Sequence, residues 1–183
     1  MHKICWLLLC LSLAACQNRQ IKPQTTPLSV QPLKEKVWSM SGKMSVSDGQ
    51  EGGSGSLKWS ESNNQVHAIF KAPLGQGSWE LDESLGLISD SKGQSWKGSD
   101  MSALISQQVG WPVPWNALKH SLKGWQMGEP LTSNDGQTLQ FIKAGWLVEW
   151  KQIKSVNGQM LPHKIYIKKK PYSIKISVKK WQW

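Results

Sequence analysis

The feature that most limits what this chain can become is a strict alternation near the start of its body. In Trp38-Ser-Met40-Ser-Gly42-Lys-Met44-Ser-Val46-Ser every even position is apolar or glycine, and every odd one is serine or lysine. Side chains on a β-strand point alternately to its two faces, so period two makes one face dry and the other wet. Shorter stretches repeat the pattern. Leu57 and Trp59 alternate with Ser56, Lys58 and Ser60. Val66, Ala68 and Phe70 share a face, with Ile69 out of phase. Trp79 and Leu81 flank Glu80, and Leu85 and Leu87 sit two apart. Later come Leu139 with Phe141, then Trp146, Val148 and Trp150, then Ile165 with Ile167. Last are Ile174, Ile176 and Val178 against Ser173, Lys175, Ser177 and Lys179. Turn formers separate the runs: Asp48-Gly49, Gly52-Gly53, Asn63-Asn64, Lys92-Gly93, Asn134-Asp135-Gly136 and Asn157-Gly158. Many short two-faced strands at regular spacing predict one curved antiparallel sheet or barrel.

One stretch has a different period. Ser99-Asp100 can cap a helix in which Met101, Leu104, Ile105 and Val109 share a side, and Gly110 ends it. Pro112 and Pro114 then lead into a second short helix with Trp115, Leu118 and Leu122 on one side, closed by Gly124. The apolar stripes favour two helices plugging one side of the sheet over a hairpin outside it.

The chain opens differently. Lys3 precedes an apolar run, Ile4 to Ala15, far short of the roughly 20 residues that cross a bilayer. A charge, a greasy run and small residues read as a secretory signal peptide over 1–15. Leu13-Ala14-Ala15-Cys16 resembles the bacterial lipobox, in which the chain is cut before the cysteine and the thiol is diacylated. Cys5 and Cys10 would leave with the signal, so the 168 residues from Cys16 onward hold no free thiol and no disulfide. Gln17 follows the cysteine, where an aspartate commonly retains lipoproteins at the inner membrane. An outer-membrane anchor facing the periplasm of a Gram-negative bacterium is therefore expected. Residues 16–33 are polar, contain three prolines and show no periodicity, which predicts a tether ahead of one domain over 34–183.

Tryptophan and charge are both lopsided. Eleven tryptophans follow the signal, against two phenylalanines and two tyrosines. Most fall on the dry phase, as core residues would, yet large flat side chains also suit a roomy cavity for greasy ligands. Residues 16–140 carry eleven basic and eleven acidic side chains, whereas 141–183 carry ten lysines and Glu149 alone. The cationic surface this predicts serves solubility, or attracts an acidic protein or anionic headgroups. An envelope address argues against nucleic acid as partner.

No catalytic constellation emerges. His67, His120 and His163 lack metal-ligand spacing, and neither a G-x-S-x-G elbow nor a phosphate-binding G-x-x-x-x-G-K-[ST] loop occurs. Glu80, Asp82 and Glu83 could suggest paired carboxylates for acid catalysis, but Glu80 and Asp82 lie on one wet face, where solvation explains them better. Neither an enzyme nor a cofactor is expected.

The remaining signals run in a telling order: Trp38-x-x-x-Gly42-Lys43, Ala72-Pro73-Leu74-Gly75, Lys92-Gly93-Gln94, Gly110-Trp-Pro-Val-Pro114 and Leu118 to Gly124. Then follow Gly145-Trp146-x-Val148-x-Trp150, Leu161-Pro162 and Lys180-Trp181. Each motif is weak alone, but together, behind a lipobox, the series resembles the LolB family of the Lol lipoprotein-sorting pathway. Ser121 departs from the tryptophan some relatives carry, and the early strands are rich in serine and tryptophan. The resemblance implies a mainly β fold, an incomplete, open antiparallel β-barrel with a short helical plug and an apolar cavity. It implies a monomer that takes lipoprotein cargo from a periplasmic LolA-like chaperone and inserts it into outer-membrane phospholipid. A palmitoyl-length tail carries roughly 13 kcal/mol of burial free energy at ~0.8 kcal/mol per methylene, so it cannot cross water bare. Cys16 would be the lipidation site. Leu74, an apolar side chain in a turn between Pro73 and Gly75, would by itself be expected to fold back onto the core; the resemblance implies instead that it protrudes and helps insert cargo. The acyl-cavity candidates are Met40, Met44, Trp59, Phe70, Trp79, Trp96, Leu104, Trp146 and Trp150. The alternative from another class is a structural or glycan-binding envelope lipoprotein whose tryptophans form sugar platforms.

Overall fold

The computed structural model describes residues 33, 35–75, 77–123, 131–132 and 138–183. Six strands come first: β1 (Val37–Ser47), β2 (Gly52–Ser62), β3 (Gln65–Lys71), β4 (Ser78–Asp82), β5 (Leu87–Asp90) and β6 (Ser95–Lys97). Two helices follow, α1 (Met101–Val109) and α2 (Trp115–Leu122). Then come β7 (Leu131–Thr132), β8 (Leu139–Lys143), β9 (Trp146–Val156), β10 (Gln159–Lys169) and β11 (Tyr172–Gln182). All eleven strands form one sheet in the order β6-β5-β4-β3-β2-β1-β11-β10-β9-β8-β7. Its neighbours pair antiparallel throughout, and β6 and β7 are unjoined edges. The sheet is thus an open barrel. The chain leaves one edge and returns at the other by way of the helices, whose Met101, Leu104, Trp115, Leu118 and Leu122 share one core with the dry face of the strands.

Local chemistry sets these elements. On β1 the even residues Trp38 and Met40 are buried and the odd serines and lysine face the other way. Gly42 sits at a bulge against β11, where a Cβ would lie 2.2 Å from the Ser177 carbonyl oxygen, so only glycine fits. Asn63-Asn64 and Asn157-Gly158 all take positive φ, as two-residue hairpin turns require. Asp100 Oδ1 accepts the Ala103 N–H at 3.1 Å and starts α1, and Gly110 at φ 78° ends it. Ser102 Oγ donates to the Val113 carbonyl at 3.0 Å and Ser106 Oγ accepts the Val113 N–H at 2.9 Å, so the linker folds back along α1.

Three details depart from the sequence reading. Leu85 belongs to no strand. It is exposed in the β4–β5 turn, where Asp82 Oδ1 accepts the N–H groups of Ser84 and Leu85, and Ile88 is the inward residue of β5, opposite Leu81. Gly52-Gly53 opens β2, and the turn lies earlier, where Asp48 Oδ1 accepts the N–H groups of Gln50 and Glu51. Leu33, placed at the end of the tether, is buried and donates its N–H to the Lys123 carbonyl at 2.9 Å. The expected turn at Asn134-Asp135-Gly136, the helix stop at Gly124, the signal and residues 16–32 lie outside the described residues.

Candidate functional site

The interior has a solid half and a hollow half. Under β8, β9 and β10 the dry face closes on itself. Phe141, Val148, Trp150, Leu161, Ile165 and Ile167 are almost wholly buried, and the Phe141 and Trp150 rings meet edge to face at 5.0 Å. Under β11 and β1 to β5 the helices stand off the sheet and leave a cavity of about 260 Å³. The sheet supplies Met44, Val46, Leu57, Trp59, Ala68 and Phe70 to its wall, with Trp79, Leu81, Ile88 and Ile174. From the helical side come Ile105, Val109, Trp111, Val113, Trp115 and Leu118. Apart from Gln108, every side chain in the wall is apolar. Trp79 and Val109 line the hollow and also reach solvent, so its mouth lies between β4 and the end of α1.

Of the nine residues singled out by sequence, four line the hollow and five do not. Met44, Trp59, Phe70 and Trp79 stand in the cavity wall. Trp96 stacks on Trp79 at 5.6 Å and so backs the wall without lining it. Met40, Leu104, Trp146 and Trp150 are buried in packed regions and do not border the hollow. The division has a simple cause. Core and cavity use the same phase of each strand, and only the landing place of the helices decides which part stays empty. Trp115 and Leu118 are visible as apolar residues on one side of α2, and Trp111 only as part of the Gly110–Pro114 motif, but nothing local marks any of them as wall.

Polar groups fasten α2 over the hollow. Glu83, in the β4–β5 turn, accepts the Trp115 Nε1–H at 3.0 Å, the Val66 N–H at 2.9 Å and Lys119 Nζ at 2.7 Å. Lys123 pairs with the buried Glu61 and donates to Asn64 Oδ1 at 3.0 Å. The Trp115 ring, held from behind, lies 5.2 Å from that of Trp59. The anchoring role of these carboxylates is not legible in the sequence, because their partners are distant in the chain.

Leu74 is the outlier. It sits in a short 3-10 turn (Pro73–Gly75) between β3 and β4, at φ 55° and ψ 27°, and is 97% exposed. A branched side chain in left-handed backbone costs on the order of 1–2 kcal/mol, and here that conformation turns an apolar group into solvent. Cys16 lies outside the described residues. Among those described, no group of three or more His, Cys, Asp or Glu side chains could hold a metal, and no helix is long and apolar enough to cross a membrane.

Comparison with known proteins gives the family of the chain. The profile of the family described as "Outer membrane lipoprotein LolB" matches residues 36–181. The LolB of Tolumonas auensis is 29% identical over 184 residues, covering 96% of this chain and 94% of that protein. The LolB of Aeromonas hydrophila is 26% identical, with 93% and 91% covered, and that of Nitrosococcus oceani 24%, with 93% and 92% covered. A DUF1329 family protein from Desulfovibrio piger superposes with a TM-score of 0.48 at 10% identity, over 82% of this chain and 86% of that one. With the match spanning nearly the entire described domain, the chain belongs to the LolB family.

Proposed function

We propose that this protein is an outer-membrane lipoprotein, anchored through acylated Cys16 on the periplasmic face, that receives lipoproteins from a LolA-like periplasmic chaperone and inserts them into the membrane. The observation that carries the reading is the open apolar hollow between Trp59 and Trp115. A surface with no charge to solvate and no catalytic group to use it suits the hydrocarbon tail of a cargo. The hollow is slightly smaller than the roughly 300–1,000 Å³ of drug-sized ligand sites. It takes the inner end of one acyl chain, and further chains require α1 to swing outward. Since nothing in the wall can bind a nucleotide, transfer runs down a gradient of affinity from chaperone to receptor to bilayer. The protein works without chemistry of its own and as a monomer.

Leu74 supplies the delivery step in this reading. Its side chain, presented to solvent beyond the sheet, enters the hydrocarbon and opens a path for the cargo tails. The test separates receipt from delivery. Leu74→Glu takes labelled lipoprotein from the chaperone at the normal rate but fails to pass it to phospholipid vesicles. Loss of both steps, or of neither, contradicts the assignment.

A further inference from the structure

The face of the sheet turned away from the helices carries a transverse row of lysines that no packing demand explains. Register places Lys151 opposite Lys164, Lys164 opposite Ser177, Ser177 opposite Lys43, Lys43 opposite Ser56, and Ser56 opposite Lys71. The row crosses six neighbouring strands, about 24 Å at strand spacing. Lys58 and Lys175 flank it, opposite Ser41 and Ser45 respectively. Like charges directly opposite one another destabilise a sheet, so the Lys151–Lys164 pair is a cost to the fold. Among the described residues from β9 to β3, the one carboxylate on this face is Glu149, which is buried and paired with Lys168. The acidic Glu80 and Asp82 stand beyond it on β4.

We infer that this lysine–serine face docks on a bilayer surface through anionic phospholipid headgroups. Two observations favour lipid over an acidic protein. The cations on the row and its flanks are all lysine, and the positions between them are serine. Stable protein interfaces are built on aromatic anchors and arginine and are poor in lysine, whereas a headgroup layer asks only for mobile positive charge. The row also ends at Lys71, three residues before the exposed Leu74. A bilayer offers anionic groups to the first and hydrocarbon to the second at a single surface. The inference deepens the delivery reading by naming what holds Leu74 against the membrane.

The test uses no cargo, so it fails or succeeds apart from the transfer reading. The Cys16→Ala chain, exported behind an unlipidated signal, is mixed with vesicles of phosphatidylethanolamine with or without phosphatidylglycerol, and cosedimentation is measured. Binding is expected only to the anionic vesicles, falling at least tenfold between about 50 mM and about 300 mM salt as screening tightens. Replacing the exposed Lys43, Lys58, Lys71 and Lys175 together by glutamine lowers binding on the order of 100-fold or more. The matching arginine set retains it, and both keep the wild-type melting temperature. Equal binding to both vesicle types, or full binding by the glutamine set, overturns the proposal. So does salt-sensitive capture of polyglutamate with no vesicle binding, which would assign the face to an acidic protein.

Discussion

The indole of Trp115 donates its Nε1 hydrogen to Glu83 Oε1 at 3.0 Å, so the carboxylate that anchors α2 also sets the ring that roofs the cavity. Glu83 holds Lys119 and the Val66 N–H as well. Removing it strands two donors and a partly buried ammonium. Glu83→Ala is expected to cost roughly 1–3 kcal/mol, about 2–4 °C in melting temperature for each kcal/mol in a domain of this size. Glu83→Gln, which keeps an acceptor, should lose less. Thermal melts of the two variants check the order.

Filling the hollow should separate binding from folding. Ala68 lies in the wall, between the stretches lined by Trp59 and Leu81, its neighbours in register. Ala68→Phe places a ring in the empty space, where added atoms meet no packed neighbour, so the stability change should stay within about 1.5 kcal/mol. Affinity for a fluorescent fatty acyl ligand should fall at least tenfold. The same enlargement on the solid side, Val148→Phe, has no space to enter and should instead lower the melting temperature, since overpacking costs about 1–3 kcal/mol.

Leu74 should show a conflict between stability and delivery. Asparagine tolerates left-handed backbone better than leucine does. Leu74→Asn is expected to raise stability by about 0.5–1 kcal/mol while delivering less cargo to vesicles. A melting temperature below wild type would show that the leucine side chain makes stabilising contacts.

Glu149 gives the fold an acid-sensitive element. Burial pushes its carboxyl up, but the hydrogen bond and charge of Lys168, the charge of Lys151 and the Gln140 amide outweigh it, holding the pKa below its usual value near 4.5. A folded-state pKa below the unfolded one means that the unfolded chain binds the proton more readily. The stability due to Glu149 is therefore full above about pH 4.5 and is lost as pH falls through the lower folded value. Glu149→Gln should be less stable than wild type at neutral pH, and the gap should narrow in acid. Denaturant melts at neutral pH and in acid check the sign.

The strands were legible because their signal is local. The alternation from Trp38 to Ser47 is β1, and Asp100 with Gly110 bounds α1 as read. Leu85 misled because spacing alone cannot tell a strand from a turn that Asp82 holds by hydrogen bonds. The cavity was only half legible. Trp59 and Trp150 occupy the same phase of their strands, yet Trp59 faces the hollow and Trp150 the solid core. That difference depends on where α2 is fastened by Glu61 and Glu83, and no pattern near either tryptophan carries it. Leu74 could be singled out because an apolar residue between proline and glycine in a turn has no local reason to be there.

The proposed transfer requires hydrocarbon to enter between the sheet and the helices. A crystal structure of the protein soaked with a triacylated lipopeptide tests this most directly. The predicted result is an acyl chain running past Trp79 and Val109, with its methyl end between Trp59 and Trp115. Lipopeptide bound only outside the barrel, with the hollow unchanged and empty, would contradict it.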